Sequence, residues 1–413
     1  MVLPPPLKKK FDVLVVGAGP AGCACAFKLA HSGLQVAVLD KAIFPRDKIC
    51  GDALSIDVIN QLSLLSKDLA AAFISFSAKV PSYGVSIFSP DHQRLNIPFI
   101  NKSKADCGYI CTRSDFDNFL FQHLQKQPNI SVFQNCQVNQ VRQTPDMITV
   151  ETNAGEFAAK IVVGADGAHS VIAKQLSQIK VDKEHYSAGL RVYYEGVTQM
   201  HPENFIELHF FQDILPGYLW IFPLPNNQAN VGLGMLSSAV SARKLNLKEI
   251  LERLLQTHPA LAPRFKNAQA LESVKGFGLP LGSKKRPLSG NRFLLAGDAA
   301  ALVDPFSGEG IGNAIRSGRV AAEHIIKCFA QRDFSVKFNK AYDQEIYRRM
   351  WKELKISRAL QMLCKYPRLF NFIIKKASRR NYLNQFLIEA LANPEKKKSL
   401  TNPLFYLRIL MFK

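Results

Sequence analysis

Residues 11–40 constrain the fold of this chain more than any other stretch. Phe11-Asp-Val-Leu-Val-Val16 is a short β-branched run, Gly17-Ala-Gly19-Pro-Ala-Gly22 follows at once, and residues 23–32 then carry apolar side chains at helical spacing until Gly33. Val36-Ala-Val-Leu39 is a second apolar strand with Asp40 at its end. Strand, glycine turn, helix and strand in immediate succession read as a dinucleotide-binding unit. Gly17 permits the tight turn, Gly19 lets backbone approach a pyrophosphate, and Gly22 lets the helix pack closely on the strand. The helix N-terminus then faces phosphates. Asp40 is placed to accept hydrogen bonds from ribose hydroxyls, as an exposed contact. The motif alone does not separate FAD from NAD.

Two later strands also end in carboxylates. Lys160-Ile-Val-Val-Gly-Ala-Asp166-Gly167 and Asn291-Arg-Phe-Leu-Leu-Ala-Gly297-Asp298 each place an aspartate at a strand's carboxyl end, where open α/β sheets bind ligands. Beyond the second, Val303-Asp-Pro305-Phe-Ser-Gly308-Glu-Gly310-Ile311-Gly312 leads into a helix predicted over about 315–329. Glycines opening a helix again make a cradle of backbone N–H groups.

A chain of 413 residues, 47% hydrophobic and 21% charged, has material for at least one large core, and its composition excludes disordered, collagen-like and heptad-repeat chains. Its formal charge of +20 is uneven, since residues 346–413 hold 16 basic and 3 acidic side chains. Such a surface favours an anionic partner, either nucleic acid or an anionic membrane face. Eight cysteines without paired CxxC spacing support neither a metal site nor a disulfide framework, so reduced thiols in a cytosolic chain are expected. No secretory signal and no transmembrane helix are read.

The three motifs, in this order, resemble FAD-dependent oxidoreductases of the p-hydroxybenzoate hydroxylase type over about residues 1–330. The resemblance implies an α/β fold: a Rossmann-like FAD-binding domain, an inserted antiparallel-sheet substrate domain and a helical C-terminal region. It implies one non-covalent FAD, with Gly17, Gly19, Gly22 and Asp40 at its ADP half and Asp298 at the ribityl and pyrophosphate region. Asp166 joins the cofactor residues, and Pro305, Gly310, Ile311 and Gly312 approach the isoalloxazine. Arg113, in Thr112-Arg-Ser-Asp-Phe-Asp117, matches an arginine at the start of a helix near the FAD, and Val138 a residue whose backbone meets the adenine. A solvated helix-start charge is the other reading of Arg113. The expected domains are 1–75, 110–180 and 286–345 for FAD, 76–109 and 181–285 for substrate, and 346–413 for the basic helical region.

Two segments narrow the resemblance. Phe44-Pro-Arg46-Asp-Lys48-Ile-Cys50-Gly51-Asp52, and Gly217-Tyr218-Leu-Trp220-Ile-Phe222-Pro223 with Asn230-Val-Gly-Leu-Gly234 after it, are similar to the geranylgeranyl reductase family. The resemblance puts Arg46, Cys50 and Gly51 where the chain passes the flavin. Leu224 departs from the lysine common there in archaeal members. Tyr218, Trp220 and Phe222 share one face of a strand, and the stripe reads equally as a substrate-cavity wall or as core packing. Cys50 reads as a reactive thiol or, preferably, as a small residue that admits backbone to the flavin. No catalytic residue is assigned, Cys50 and Tyr218 being the two candidates, and His169 and His209 read as structural.

The expectation is therefore an FAD-dependent oxidoreductase. NADH or NADPH, docking transiently without a Rossmann domain of its own, reduces the flavin, and hydride then passes to a carbon–carbon double bond of an apolar, isoprenoid- or polyene-like molecule. The alternatives are an FAD-dependent monooxygenase (hydroxylase) and, third, a flavin-dependent halogenase, whose Trp-x-Trp-x-Ile-Pro motif is partly imitated. No nucleic-acid partner is expected, because no zinc, RNA-recognition or helix-turn-helix signature is found. The basic tail reads as a peripheral contact with an anionic membrane, slightly ahead of a solvated helical appendage. That places the protein in the cytoplasm, peripherally on the inner face of the membrane.

Overall fold

The computed structural model describes residues 9–99, 107–177 and 180–379. Strands β1 (Val13–Val16) and β2 (Val36–Leu39) flank helix α1 (Pro20–Leu29). Both strands are buried throughout, which is why each reads as an unbroken apolar run rather than an alternation. They sit inside a six-stranded sheet whose order is Ser289–Gly290, Phe293–Leu295, Ile161–Gly164, β1, β2 and Ile130–Phe133. Every neighbour runs parallel except the Ser289–Gly290 edge. The register aligns Val16 with Leu39 and Gly164, and Gly164 with Leu295. Four segments thus leave the sheet at one edge and carry Gly17, Asp40, Asp166 and Asp298 there.

A second sheet of eight strands is built around β3 (Tyr186–Glu195), β4 (Gly217–Leu224) and β5 (Gln228–Leu236), with β5 antiparallel to both others. Lys275–Pro280 pairs with the other edge of β3, and Ile206–His209, Gly84–Phe88 and Arg94–Pro98 extend the sheet beyond β4. It is antiparallel except where Ile206–His209 runs parallel to Gly84–Phe88. Segments so far apart in the chain have the long connection that parallel pairing needs. The period of two along β4 turns Leu219 and Ile221 into a core beside helix Leu247–Thr257, and Trp220 and Phe222 to the opposite face, toward the first sheet.

Helix α2 (Ile311–Gln331) begins four residues ahead of the predicted start, directly after Gly310. It lies so close to α1 that a side chain on Gly318 would stand 2.1 Å from the Ala21 carbonyl. Helix α3 (Val336–Leu363) is continuous through residue 346. Helix α4 (Pro367–Arg379) buries Phe370, Ile374 and Ala377 in a cluster with Ile97 and Phe210. Lys365, just ahead of it, and Arg368, Lys375 and Arg379 on it are exposed. The apolar stripe of this part of the tail is therefore taken up by the protein itself, and its cations point outward. The remainder of the basic region, residues 380–413, lies outside the described residues. Among the described residues no helix is long and apolar enough to cross a membrane.

Candidate functional site

A cavity of about 1350 Å³ separates the two sheets, more than the roughly 300–1,000 Å³ of a pocket for one small ligand. It runs from Gly17, Asp40 and Val138 past Asp298 and Gly310 to Tyr218, Trp220 and Phe222. Of the site residues singled out from the sequence, Gly22 and Gly312 do not line it. A Cβ on Gly22 would lie 1.8 Å from the Gly17 carbonyl, so that glycine serves the packing of α1 on its own turn. A Cβ on Gly312 would lie 2.5 Å from the Asp57 carboxylate.

Asp40 is not the exposed contact that the sequence led us to expect. It is 8% exposed, and its two carboxylate oxygens accept hydrogen bonds from the Ala18 N–H (2.7 Å) and the Ala42 N–H (2.8 Å). It fastens the glycine turn to the end of β2. Gly17 within that turn has φ +99°, and a Cβ there would meet the Ala165 carbonyl at 2.4 Å.

The residues present fit a dinucleotide. Gly19 caps α1 without a side-chain hydrogen bond, and the first turn holds no acidic residue. Arg46 stands opposite, its Nη2 3.6 Å from where a Gly19 Cβ would be. Its Nη1 is buried and, though 2.8 Å from the Asp117 carboxylate, makes no hydrogen bond. A helix N-terminus facing a guanidinium with an N–H to spare suits a pyrophosphate. Gly310 opens α2 in the same way, with no capping side chain and no acidic residue in the first turn.

Arg113 is no solvated charge. It is 3% exposed, and its Nε and Nη2 each donate to Asp117 at 2.7 Å from one turn away on helix Arg113–Gln125. Burial alone would raise the Asp117 carboxyl, but Arg113 beside it, helped by Arg46 and Lys48, holds it below the ordinary carboxylate range. Asp166 accepts from the Ser170 hydroxyl and, at 2.7 Å, from the Val171 N–H. Burial still pushes it up.

The aromatic stripe answers to both of its readings, since Trp220 and Phe222 pack with Ile110 and Leu224 and also line the cavity. The Tyr218 hydroxyl donates to the Ser307 carbonyl, and burial raises it above the usual phenol range. A phenol so engaged tethers the 305–308 segment. Cys50 is partly buried on the cavity wall. A Cβ on Gly51 would come within 2.9 Å of the Phe222 ring, so this turn rests directly on the stripe.

Sequence reasoning missed the polar residues behind that turn. Asp52 is fully buried and accepts from the Tyr193 hydroxyl (2.6 Å), Asn230 Nδ2 (2.7 Å) and the Arg113 N–H (3.2 Å). Burial pushes its carboxyl up to about 6, with Tyr193 and Asn230 pulling the other way. The one signal available was a polar Asn230 inside an apolar strand. Glu309, which accepts from the Ser55 hydroxyl, is likewise raised by burial, to about 7.

A dinucleotide cradle at the carboxyl edge of a parallel sheet, opening between the sheets onto an aromatic wall, is an arrangement that suits a flavoprotein. The chain belongs to the FAD binding domain family, whose match spans residues 10–354. It is similar to a digeranylgeranylglycerophospholipid reductase of Thermoplasma volcanium, 28% identical over 341 residues that cover 81% of this chain and 82% of that protein. A menaquinone reductase of Mycolicibacterium smegmatis is 28% identical over 396 residues, covering 94% and 92%. The crystal structure of a geranylgeranyl bacteriochlorophyll reductase-like protein from Thermoplasma acidophilum superposes with a TM-score of 0.80 at 23% identity, over 95% of this chain and 99% of the other, which shows a shared fold.

Proposed function

We propose that the protein is an FAD-dependent reductase, supplied by NADH or NADPH, that saturates a carbon–carbon double bond in an apolar, isoprenoid-bearing substrate. The observation that carries this reading is the continuity of the cavity. Past Gly310 it continues without a break onto an apolar lining of Trp220, Leu208, Phe210, Ile87 and Ile97. The names of the two reductase relatives support a substrate of that class.

FAD, when bound, supplies hydride transfer. The first turn of α1 and Arg46 hold its diphosphate, and Asp40 keeps the glycine turn in shape for it. Gly51 lets its turn rest directly on the aromatic wall, beside which the cofactor would lie, and the apolar lining would keep water from the reacting carbon. The parallel sheet with α1 and α2 serves the cofactor, and the eight-stranded sheet serves the substrate. The outward cations of α4, and the excess of 16 basic over 3 acidic residues across 346–413, support peripheral binding to an anionic membrane, where such a substrate is dissolved.

The test is anaerobic. NADH or NADPH is expected to bleach the flavin, and menaquinone or a geranylgeranyl lipid is expected to restore its colour while gaining two hydrogens by mass spectrometry. Substrate-stimulated oxygen uptake with a hydroxylated product would overturn the reductase in favour of the monooxygenase.

A further inference from the structure

We propose that Asn230 is a positioning residue that ties the indole of Trp220, in the aromatic wall, to the Cys50–Gly51–Asp52 turn on the cofactor side, so that displacing either moves the other. The cross-strand register places the parts. Tyr193, Asn230 and Phe222 oppose one another on β3, β5 and β4, and Arg191, Gly232 and Trp220 form the next row. Gly232 gives the indole its place, since a Cβ there would lie 2.1 Å from Trp220 Cζ2. The indole Nε1–H then reaches back one row and donates to Asn230 Oδ1 at 2.8 Å. Asn230, fully buried, donates from Nδ2 to the Cys50 carbonyl (2.7 Å) and to Asp52 Oδ2 (2.7 Å). Its orientation is dictated, because an indole N–H only donates and a peptide carbonyl only accepts. One amide thus joins the aromatic wall to the turn that faces the cofactor.

The second observation lies in the turn itself. Asp52 has φ +66°, a left-handed conformation that a non-glycine residue keeps only where its surroundings over-determine it. Those surroundings are the donors on its carboxylate: the Tyr193 hydroxyl and Asn230 on Oδ2, the Arg113 N–H on Oδ1. The charged and titratable groups facing it are Arg191 and Tyr193 on β3, Arg113 at its helix start and the neighbouring Cys111 thiol. Oδ1 accepts only the Arg113 N–H and can take the proton, and neutralising the carboxylate weakens the charge-assisted bonds that Tyr193 and Asn230 donate to Oδ2. Titration of Asp52 is then felt at Trp220, and by linkage a ligand that shifts the indole shifts that titration.

The inference requires no particular reaction at the flavin, so it can fail or stand apart from the reductase reading. In a Trp351→Phe holoenzyme, Trp220 is the sole tryptophan. Its emission, followed from about pH 5 to about pH 8, is expected to show an inflection near 6. The inflection should vanish in D52N and in N230A, with folding checked by circular dichroism. In Y193F it should persist at higher pH, because the carboxylate has lost one donor. Absence of an inflection in the W351F background, or its survival in N230A, would overturn the proposal. If N230A does not fold, an inflection unchanged in D52N or Y193F overturns it equally.

Discussion

Lys48 and Asp298 meet at 3.3 Å on the cavity wall, joining the segment after β2 to the glycine–aspartate end of strand Phe293–Leu295. The Lys48 ammonium also lies 4.3 Å over the ring of Phe277, on the eight-stranded sheet. Asp298 therefore holds one partner of its own chain beside the proposed ribityl contact. Asp298→Ala is expected to weaken FAD binding ~10–100-fold, the worth of one hydrogen bond to a charged group. Titration of apoprotein with FAD measures it, and affinity equal to that of the unaltered protein would reject the assignment of Asp298.

Asp40→Ala is expected to behave differently. Its loss leaves the Ala18 and Ala42 amides without their acceptor, at about 1–3 kcal/mol for each buried donor. Reduced flavin content should therefore come with a lower thermal midpoint in the apoprotein. Asp298→Ala should leave that midpoint nearly unchanged.

Arg113→Ala strands a buried carboxylate and is expected to cost about 3–5 kcal/mol of stability. Arg113→Lys keeps the charge but loses the two-pronged geometry, so it should recover part of this. The Asp117 carboxyl lies below its ordinary value of 3.8 in the folded state. Its contribution is thus complete above that value and lost as pH falls through the folded one. With Arg113 gone, burial pushes the Asp117 carboxyl upward, so urea denaturation near neutral pH and near pH 4 should show the penalty of R113A shrinking as the variant's carboxyl takes up a proton.

Glu309 has the opposite sign. Its folded value, about 7, lies above the ordinary 4.5, so between these values the unfolded chain releases a proton that the folded one keeps. Stability contributed by the neutral form falls as pH rises through this window, by at most about 1.4 kcal/mol per pH unit. Glu309→Gln can keep the contact with Ser55 and should flatten this slope in the apoprotein. A slope unchanged by E309Q would assign it to other groups.

The parts of the site that were legible in the sequence are those set by local spacing. The glycine turn, the carboxylates after strands, and the face shared by Tyr218, Trp220 and Phe222 each depend on one turn or one strand. Asp52, Tyr193 and Asn230 could not be joined that way, because their bonds span 141 and 178 residues and no periodicity announces a contact between sheets. Asp117 sits four residues from Arg113, yet that spacing does not tell a buried fork from a surface pair. No local pattern assigns Ile206–His209 its parallel partner Gly84–Phe88, since pairing is decided by the packing of the whole sheet. The same limit applies to α4, whose amphipathic pattern does not say whether protein or lipid covers the apolar stripe.

Membrane association is the remaining expectation, and the fold changes how it must be tested. Phe370, Ile374 and Ala377 are buried against the body of the protein, so α4 can offer lipid its exposed Arg368, Lys375 and Arg379 but not that stripe. Each cation near an anionic surface is worth about 1 kcal/mol, and salt screens it. Apolar insertion is left to the exposed Tyr366 beside Lys365 and to residues 380–413, where Leu, Ile, Phe and Tyr recur among further basic residues. Two variants separate these contributions: truncation after Arg379, and the full chain with Lys365, Arg368 and Lys375 changed to Gln. Both are expected to sediment less with anionic vesicles than the intact protein does. Both variants should also lose part of their sensitivity to salt, since residues 380–413 hold six basic and two acidic side chains. Neutral vesicles should retain little of either. If intact and truncated chains sediment equally, residues 380–413 contribute no anchor; if the intact protein binds no anionic vesicle at low salt, the basic region is a solvated helical appendage.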